Sequence, residues 1–321
     1  MSIPRRTFLI SCATLGVAWM LGMFGAVAAA ASPSVTTVAS GVTRVDLGPV
    51  VVTTVNDGFF ARPLDANFVR NATLAEVQAA LAEAGLPTDT VEVPFNPLIV
   101  DIGDQRVLFD AGNGEFGAAT AGKLLENMAS ADLDPLSITT VVISHFHGDH
   151  INGLRNRDGD LVFPNATVYV PRPEWDWWMD DNRMANAPEA MTGAFNATRR
   201  VFAPMTDSVV KFEPGVEVLP GVRSLPAFGH TPGHTVFLIE GGERGLLYWA
   251  DTTNVAALFV RHPDWAVMFD MDAEAARQTR HELAEMILRE DLLLAGFHLP
   301  GAAIGTLVRR GDGYDFIPLA D

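Results

Sequence analysis

A buried strand that ends in a knot of metal-binding side chains constrains this 321-residue chain more than any other feature. The apolar, β-branched stretch Ile138-Thr139-Thr140-Val141-Val142-Ile143 reads as the core of a strand from Ser137 to Ser144. It runs straight into His145-Phe146-His147-Gly148-Asp149-His150. In extended backbone, side chains two apart point the same way, so His145 and His147 can grip one ion. A turn at Gly148 then presents Asp149 and His150 to a second ion, with a helix near Ile151 to Leu154 fixing the loop. Imidazole nitrogens suit zinc, and the carboxylate adds charge neutralisation. Asp149 acting only as a helix cap, beside chance histidines, is a poor account of four such residues at one strand end.

Elsewhere the chain reads as strands, then helices, then strands again. Val50 to Val55 is a β-branched run ending in Asn56-Asp57-Gly58. Thr73-Leu74-Ala75-Glu76 is a capping box. The helix it opens places Leu74, Val77, Leu81 and Ala84 on one face and stops at Gly85 before Pro87. Phe95 to Ile102 and Arg106 to Phe109 form a hairpin across Gly103-Asp104. Shorter strands are expected at Thr167 to Val170, Val216 to Leu219, Val236 to Glu240, Leu246 to Trp249, Leu292 to Ala295 and Thr306 to Arg309. A helix from about Ala273 to Arg289 follows Asp272 as N-cap and buries Ala276, Leu283, Met286 and Ile287. Strand clusters in both halves with helices outside predict an α/β fold, an αββα sandwich of two mixed sheets flanked by helices. No linker or repeat interrupts it, so residues 32–321 read as one catalytic domain.

Residues 1–31 read as an export segment. Arg5 and Arg6 precede an apolar stretch from Phe8 to about Val27, and the small residues Ala28 to Ser32 suit cleavage. Pro4-Arg5-Arg6-Thr7-Phe8-Leu9 resembles a twin-arginine signal, which implies export of the folded protein through the twin-arginine machinery to the periplasm or beyond. An uncleaved segment would make it a membrane anchor instead, the one membrane contact expected of this chain. The sole cysteine, Cys12, lies there, so residues 32–321 offer neither a disulfide nor a thiolate ligand. Without Arg5 and Arg6 the formal charge moves from −17 to −19. Such a field repels nucleic acid and anionic substrates, although it serves solubility equally well. A small-molecule substrate is the expected partner, and a homodimer is compatible with the sequence.

The segment His145-Phe146-His147-Gly148-Asp149-His150 resembles the H-x-H-x-D-H signature of the metallo-β-lactamase superfamily. Further pieces fall in that family's order. Phe109-Asp110-Ala111-Gly112 resembles its strand-end D-x-G, and Gly229-His230-Thr231-Pro232-Gly233-His234 its G-H-T-x-G-H motif. Leu247-Tyr248-Trp249-Ala250-Asp251 is similar to the strand that delivers a bridging aspartate, and Ala295-Gly296-Phe297-His298 to the strand that delivers a last histidine. The resemblance implies that His145, His147 and His230 hold one divalent metal, that Asp149, His150 and His298 hold the other, and that Asp251 bridges them. His234 would orient the loop rather than bind metal. His262 and His281 match nothing and read as surface residues.

Two such metals, about 3.5–4 Å apart, would keep a hydroxide ionised near neutral pH to attack an ester, lactone or phosphorus centre, with Asp149 and Asp251 as catalytic residues. The superfamily's true β-lactamases lack the bridging aspartate, so Asp251 argues against that activity. Gly114-Glu115-Phe116-Gly117, Glu174-Trp175-Asp176-Trp177-Trp178 and Asp251-Thr252-Thr253-Asn254-Val255-Ala256-Ala257-Leu258 resemble the exported methyl parathion hydrolase and lactonase-like group. In that group aromatic residues line the pocket mouth, which points to Phe116, Trp177 and Phe195 as substrate contacts. Asn254 stands where many N-acyl-homoserine lactonases carry a tyrosine that hydrogen-bonds the substrate. Two other readings stay open on the same ligands: an exported zinc-binding protein without activity, and a diiron redox protein.

Overall fold

The computed structural model describes residues 33–320. The expected export segment, with Arg5, Arg6 and Cys12, lies outside the described residues. Ten strands come first: β1 (Ser34–Ala39), β2 (Val42–Asp46), β3 (Val50–Val55), β4 (Phe59–Pro63), β5 (Thr90–Pro94), β6 (Leu98–Ile102), β7 (Gln105–Phe109), β8 (Thr140–Val142), β9 (Thr167–Pro171) and β10 (Val210–Phe212). Eight of them form a sheet in the order β1-β2-β3-β6-β7-β8-β9-β10, while β4 and β5 pair as a separate hairpin. Then β11 (Glu217–Leu219), β12 (Val222–Pro226), β13 (Thr235–Ile239), β14 (Leu246–Tyr248), β15 (Leu293–Ala295), β16 (Ile304–Arg310) and β17 (Gly313–Pro318) form a second sheet in chain order. The first sheet is parallel from β7 through β10, and the second only between β14 and β15. Both sheets are therefore mixed, as expected.

Strand alternation explains the layering. Val107 and Phe109 face the core between the sheets, where they meet Phe237, Ile239 and Tyr248 of the second sheet. Leu108, between them, points the other way, into a cluster with Leu124 and Met128 of α2 (Leu124–Ser130) and Phe195 and Phe202 of α6 (Thr192–Phe202). On the opposite side, Val236, Leu247 and Leu294 pack on Leu283, Ala284 and Ile287 of α7 (Ala273–Glu290). Residues i and i+1 of one strand thus serve different apolar layers, the arrangement that forces helix, sheet, sheet, helix.

Local expectations fare unevenly. The Thr73–Glu76 capping box and the Asp272 N-cap are both present, and the hairpin pairs Ile102 with Gln105. Ala84, expected on the buried face of α1 (Leu74–Glu83), is exposed at its C-cap, and Met286 on α7 is half-buried. The strand expected over 137–144 is only three residues long. Ser144 leaves the ladder because its N–H is donated to Asp110 Oδ1 at 2.8 Å instead. The helix expected from Ile151 starts at Gly148, as α3 (Gly148–Ile151), so Asp149 and His150 sit in its first turn. The tryptophan-rich stretch after β9 forms α4 (Arg172–Trp178) and α5 (Asp181–Ala185), which lead into α6.

Candidate metal centre

The candidate ligands gather where strands of both sheets end. β8 leads into His145, His147, Asp149 and His150, β14 into Asp251, β15 into His298, and the β12–β13 loop carries His230. They form two groups. His145, His147, His230 and Asp251 make one, and Asp149, His150, His298 and Asp251 make the other, with the ligand atoms of each group within 4.8 Å of one another. Asp251 belongs to both. Its Oδ1 is 3.0 Å from His150 Nε2, and its Oδ2 is 3.0 Å from His298 Nε2 and 3.2 Å from His230 Nε2. Asp149 Oδ2 stands 3.5 Å from both His150 Nε2 and His298 Nε2.

Four imidazoles are anchored at the nitrogen that faces away from the cluster. His145 Nδ1 lies 3.0 Å from Ser144 Oγ, His150 Nδ1 2.9 Å from Asp110 Oδ2, His230 Nδ1 3.0 Å from Asp270 Oδ1, and His298 Nδ1 2.7 Å from the carbonyl of Pro94. A carbonyl only accepts, so His298 Nδ1 carries a proton and Nε2 is the nitrogen turned to the cluster. His147 turns the other way, its Nδ1 2.9 Å from His230 Nε2. His234 binds no cluster atom. Its Nδ1 donates to the Ala227 carbonyl at 2.8 Å and its Nε2 accepts the N–H of Asp251 at 3.1 Å, which fixes the backbone that aims the shared carboxylate.

Several supporting residues explain why the motifs look as they do. Asp110 is fully buried in the left-handed region (φ 60°) and accepts hydrogen bonds from Ser144 N, Ser144 Oγ and Tyr248 OH. Buried Asp57 accepts from the backbone N–H of Asn113 and Leu124, and so pins the D-x-G loop. Buried Glu174 accepts from Phe146 N and Gly233 N, stitching the H-x-H-x-D-H loop to the G-H-T-x-G-H loop. Both glycines of the latter motif are required. Gly229 has φ 126°, and a Cβ there would lie 2.1 Å from Ala276 N, whereas at Gly233 it would lie 2.4 Å from Glu174 N. Asp270 and Arg280, both buried, gave no motif-level sign. A charge at position 280, on the apolar stripe of α7 marked by Ala276, Leu283 and Ile287, was the available clue.

Electrostatics point to a cation. Burial would raise Asp251 and Asp149, but the surrounding imidazoles, His298 and His150 foremost for Asp251, hold both below the usual carboxylate range. Burial would likewise depress His150 and His230. The carboxylates of Asp251 and Asp110 hold His150 well above its ordinary value, and Asp251 with Asp270 pushes His230 up to about 9. Burial and neighbouring imidazoles drive His145 far down, His147 to about 3 and His234 to about 4. His145 and His147, kept neutral, stand beside ionised carboxylates that draw positive charge onto His150 and His230, a balance that a bound cation would satisfy in place of those protons. The fit is supported by orphaned atoms: His145 Nε2, His150 Nε2 and Asp251 Oδ1 are buried and make no hydrogen bond, an arrangement that costs stability unless an ion takes their lone pairs.

The metallo-beta-lactamase superfamily profile matches residues 93–298. The chain belongs to that superfamily. Among curated members, an N-acyl homoserine lactonase from a Bacillus species is 25% identical over 211 residues, spanning 62% of this chain and 75% of that protein. Among solved members of similar fold, AidC, a dizinc quorum-quenching lactonase in complex with a product, superposes with a TM-score of 0.82 at 25% identity, covering 88% of this chain and 98% of that one. The hydrolase AbOPH superposes with a TM-score of 0.81 at 24% identity over 88% and 98% of the two chains, a likeness of fold.

The cavity beside the ligands has a volume of about 430 Å³, and its walls differ from those expected. Phe116, Trp177 and Phe195 are not among its lining residues. Phe195 is fully buried and stacks on Trp177 at 5.3 Å, because α6 turns it into the helix layer of the first sheet. Phe116 is exposed, with the Arg200 guanidinium over its ring at 3.5 Å. The aromatic walls are Phe60, Phe95 and Phe269, with the amides Asn113, Asn152 and Asn254 among them. Of the remaining histidines, His281 is at the surface paired with Asp264, while His262 is half-buried and stacked on Trp265 at 4.1 Å.

Proposed function

We propose that this protein is a dinuclear metal-dependent hydrolase of neutral lactones and esters, with zinc as its native metal. The observation that carries the reading is the shared carboxylate: Asp251 reaches both histidine groups at the floor of a cavity whose other walls are aromatic rings and uncharged amides. His145, His147 and His230 would hold one ion, Asp149, His150 and His298 the other, and Asp251 both. Bound there, two divalent ions supply a nucleophile ionised at neutral pH and a Lewis acid for the attacked oxygen.

The chain's own groups do the rest. Asp149 lines the cavity, placed to orient the attacking water and to take its proton. The Asn254 Oδ1 accepts the N–H of Val255 at 3.1 Å, which leaves Nδ2 free to donate to a substrate oxygen, the part that tyrosine plays in many lactonases. Phe60, Phe95 and Phe269 exclude water and offer apolar contact without charge. The lactonase names of the relatives favour lactones within this class. The likeness to the methyl parathion hydrolase group adds phosphotriesters as a side reaction, since pocket shape rather than the nucleophile separates a carbon centre from a phosphorus one.

The test is a side-by-side assay of the metal-loaded protein on an N-acyl homoserine lactone, an aryl acetate, a neutral aryl phosphotriester and an anionic thioester. The lactone and the aryl ester are expected to give the highest kcat/KM, and elemental analysis about two metals per chain. An anionic thioester as best substrate, or full activity without metal, would overturn the reading. Metal without hydrolysis of any of the four would favour a binding or redox protein.

A further inference from the structure

One buried ion pair, Asp270 with Arg280, backs the two candidate metal positions. Asp270 and Arg280 are each 2% exposed. Asp270 Oδ1 holds His230 Nδ1 at 3.0 Å, and Asp270 Oδ2, which makes no hydrogen bond of its own, stands 3.6 Å from an Arg280 terminal nitrogen. The rest of the Arg280 fork is spent on backbone carbonyls: Nε donates to Thr252 at 2.9 Å, and one terminal nitrogen to Pro263 and Trp265 at 2.8 Å each. Thr252 directly follows the shared Asp251. The Asp270 loop also grips the His230 loop through backbone, Met271 N donating to His230 O at 3.1 Å and Asp272 N to Gly229 O at 2.8 Å.

The two histidine groups differ in this backing. His150, in the second group, leans on Asp110, whose other partners are the uncharged donors of Ser144 and Tyr248. His230, in the first, leans on a carboxylate that shares its charge with a buried guanidinium. A carboxylate behind a ligating imidazole fixes its tautomer and strengthens it as a donor. A cation behind that carboxylate competes with the imidazole for its negative charge and limits how much is passed on.

We propose that Asp270 and Arg280 are positioning residues with separable roles: Asp270 sets the metal affinity of the His145–His147–His230 position alone, whereas Arg280, through Thr252, also places the shared Asp251 and so serves both positions. This rests on the two-metal reading above. The test is competition of the intact protein against a zinc chelator, with the visible spectrum of the cobalt-substituted protein as a second readout.

Asp270→Asn is isosteric and still accepts from Nδ1, so it is expected to weaken one of the two equivalents by about tenfold. Asp270→Ala should approach about a hundredfold at that same equivalent. The other equivalent and the melting temperature of the metal-free protein should stay put in Asp270→Asn. Arg280→Met should weaken both equivalents, and Arg280→Lys, which keeps the charge but not the fork, should restore only the part that depends on Asp270. Equal losses at both positions in Asp270→Asn, or no loss at all, would overturn the proposal while leaving the two-metal reading intact. A wild-type protein that binds no zinc would overturn both.

Discussion

At the metal centre, His145, His150, His230 and His298 each turn one ring nitrogen to the cluster and tie down the other, three by hydrogen bonds and His150 by the Asp110 carboxylate 2.9 Å away, so their orientation is dictated by polar contacts. In the helices after β9, Trp177 and Phe195 stack at 5.3 Å and owe their placement to volume and apolar contact. The contrast separates two kinds of sequence information. A histidine or aspartate is costly to bury without a partner, so a run of them at a strand end states its purpose. A phenylalanine is equally at home in a core and on a pocket wall, and only the backbone decides which.

If that contrast is right, the two regions should fail differently. The largest effect is expected at the shared carboxylate. Asp251→Ala should reduce metal content and activity together, with activity falling beyond the roughly 100-fold that the loss of a residue behind a ligand can cost. A variant that kept both metals would break the comparison at its strongest point.

The second effect is one of pH. His230 in the metal-free protein is raised to about 9 from its ordinary 6.5, so its proton stabilises that form fully below pH 6.5, and this contribution is lost as pH rises through 9. Metal requires the unprotonated nitrogen. Zinc affinity should therefore climb about tenfold per pH unit for each displaced proton across that window, with proton release measurable by calorimetry in two buffers. A flat affinity between pH 6.5 and 9 would show that proton and metal do not compete there.

The smallest effects belong to the aromatics, and they should split. Phe195→Ala is expected to cost about 3–5 kcal/mol of stability, read by denaturant unfolding, with KM little changed in the protein that stays folded. Phe60→Ala, on the cavity wall, should leave unfolding nearly unchanged and raise KM about tenfold for apolar substrates. The reverse pattern would return the pocket to the residues the sequence first pointed to.

What was legible follows the same division. The sandwich could be read because strand alternation and capping are local, as at Thr73–Glu76 and Asp272. The seven candidate ligands could be read because their residue types are chemically demanding, and the fold brings all seven together. Phe116, Trp177 and Phe195 do not line that cavity, whose wall is assembled from β4, the end of β5 and the 269 loop, which are distant in sequence and carry no shared pattern. Asp270 and Arg280 were missed because their meaning lies in a contact between a loop and a helix face rather than in either segment.

One feature of the site reaches beyond catalysis. His145, His147, Asp149 and His150 hang from the first sheet, while His230, Asp251 and His298 hang from the second. A centre loaded as proposed would act as a rivet through the sandwich, since an ion bound there is held by both leaves and by neither alone. Folding and metal supply then become one equilibrium. Every tenfold excess of free metal over its dissociation constant would add about 1.4 kcal/mol to the folded state. Metal scarcity would accordingly be felt first as loosened leaves, open to proteases along the seam between the sheets, before it was felt as slow turnover.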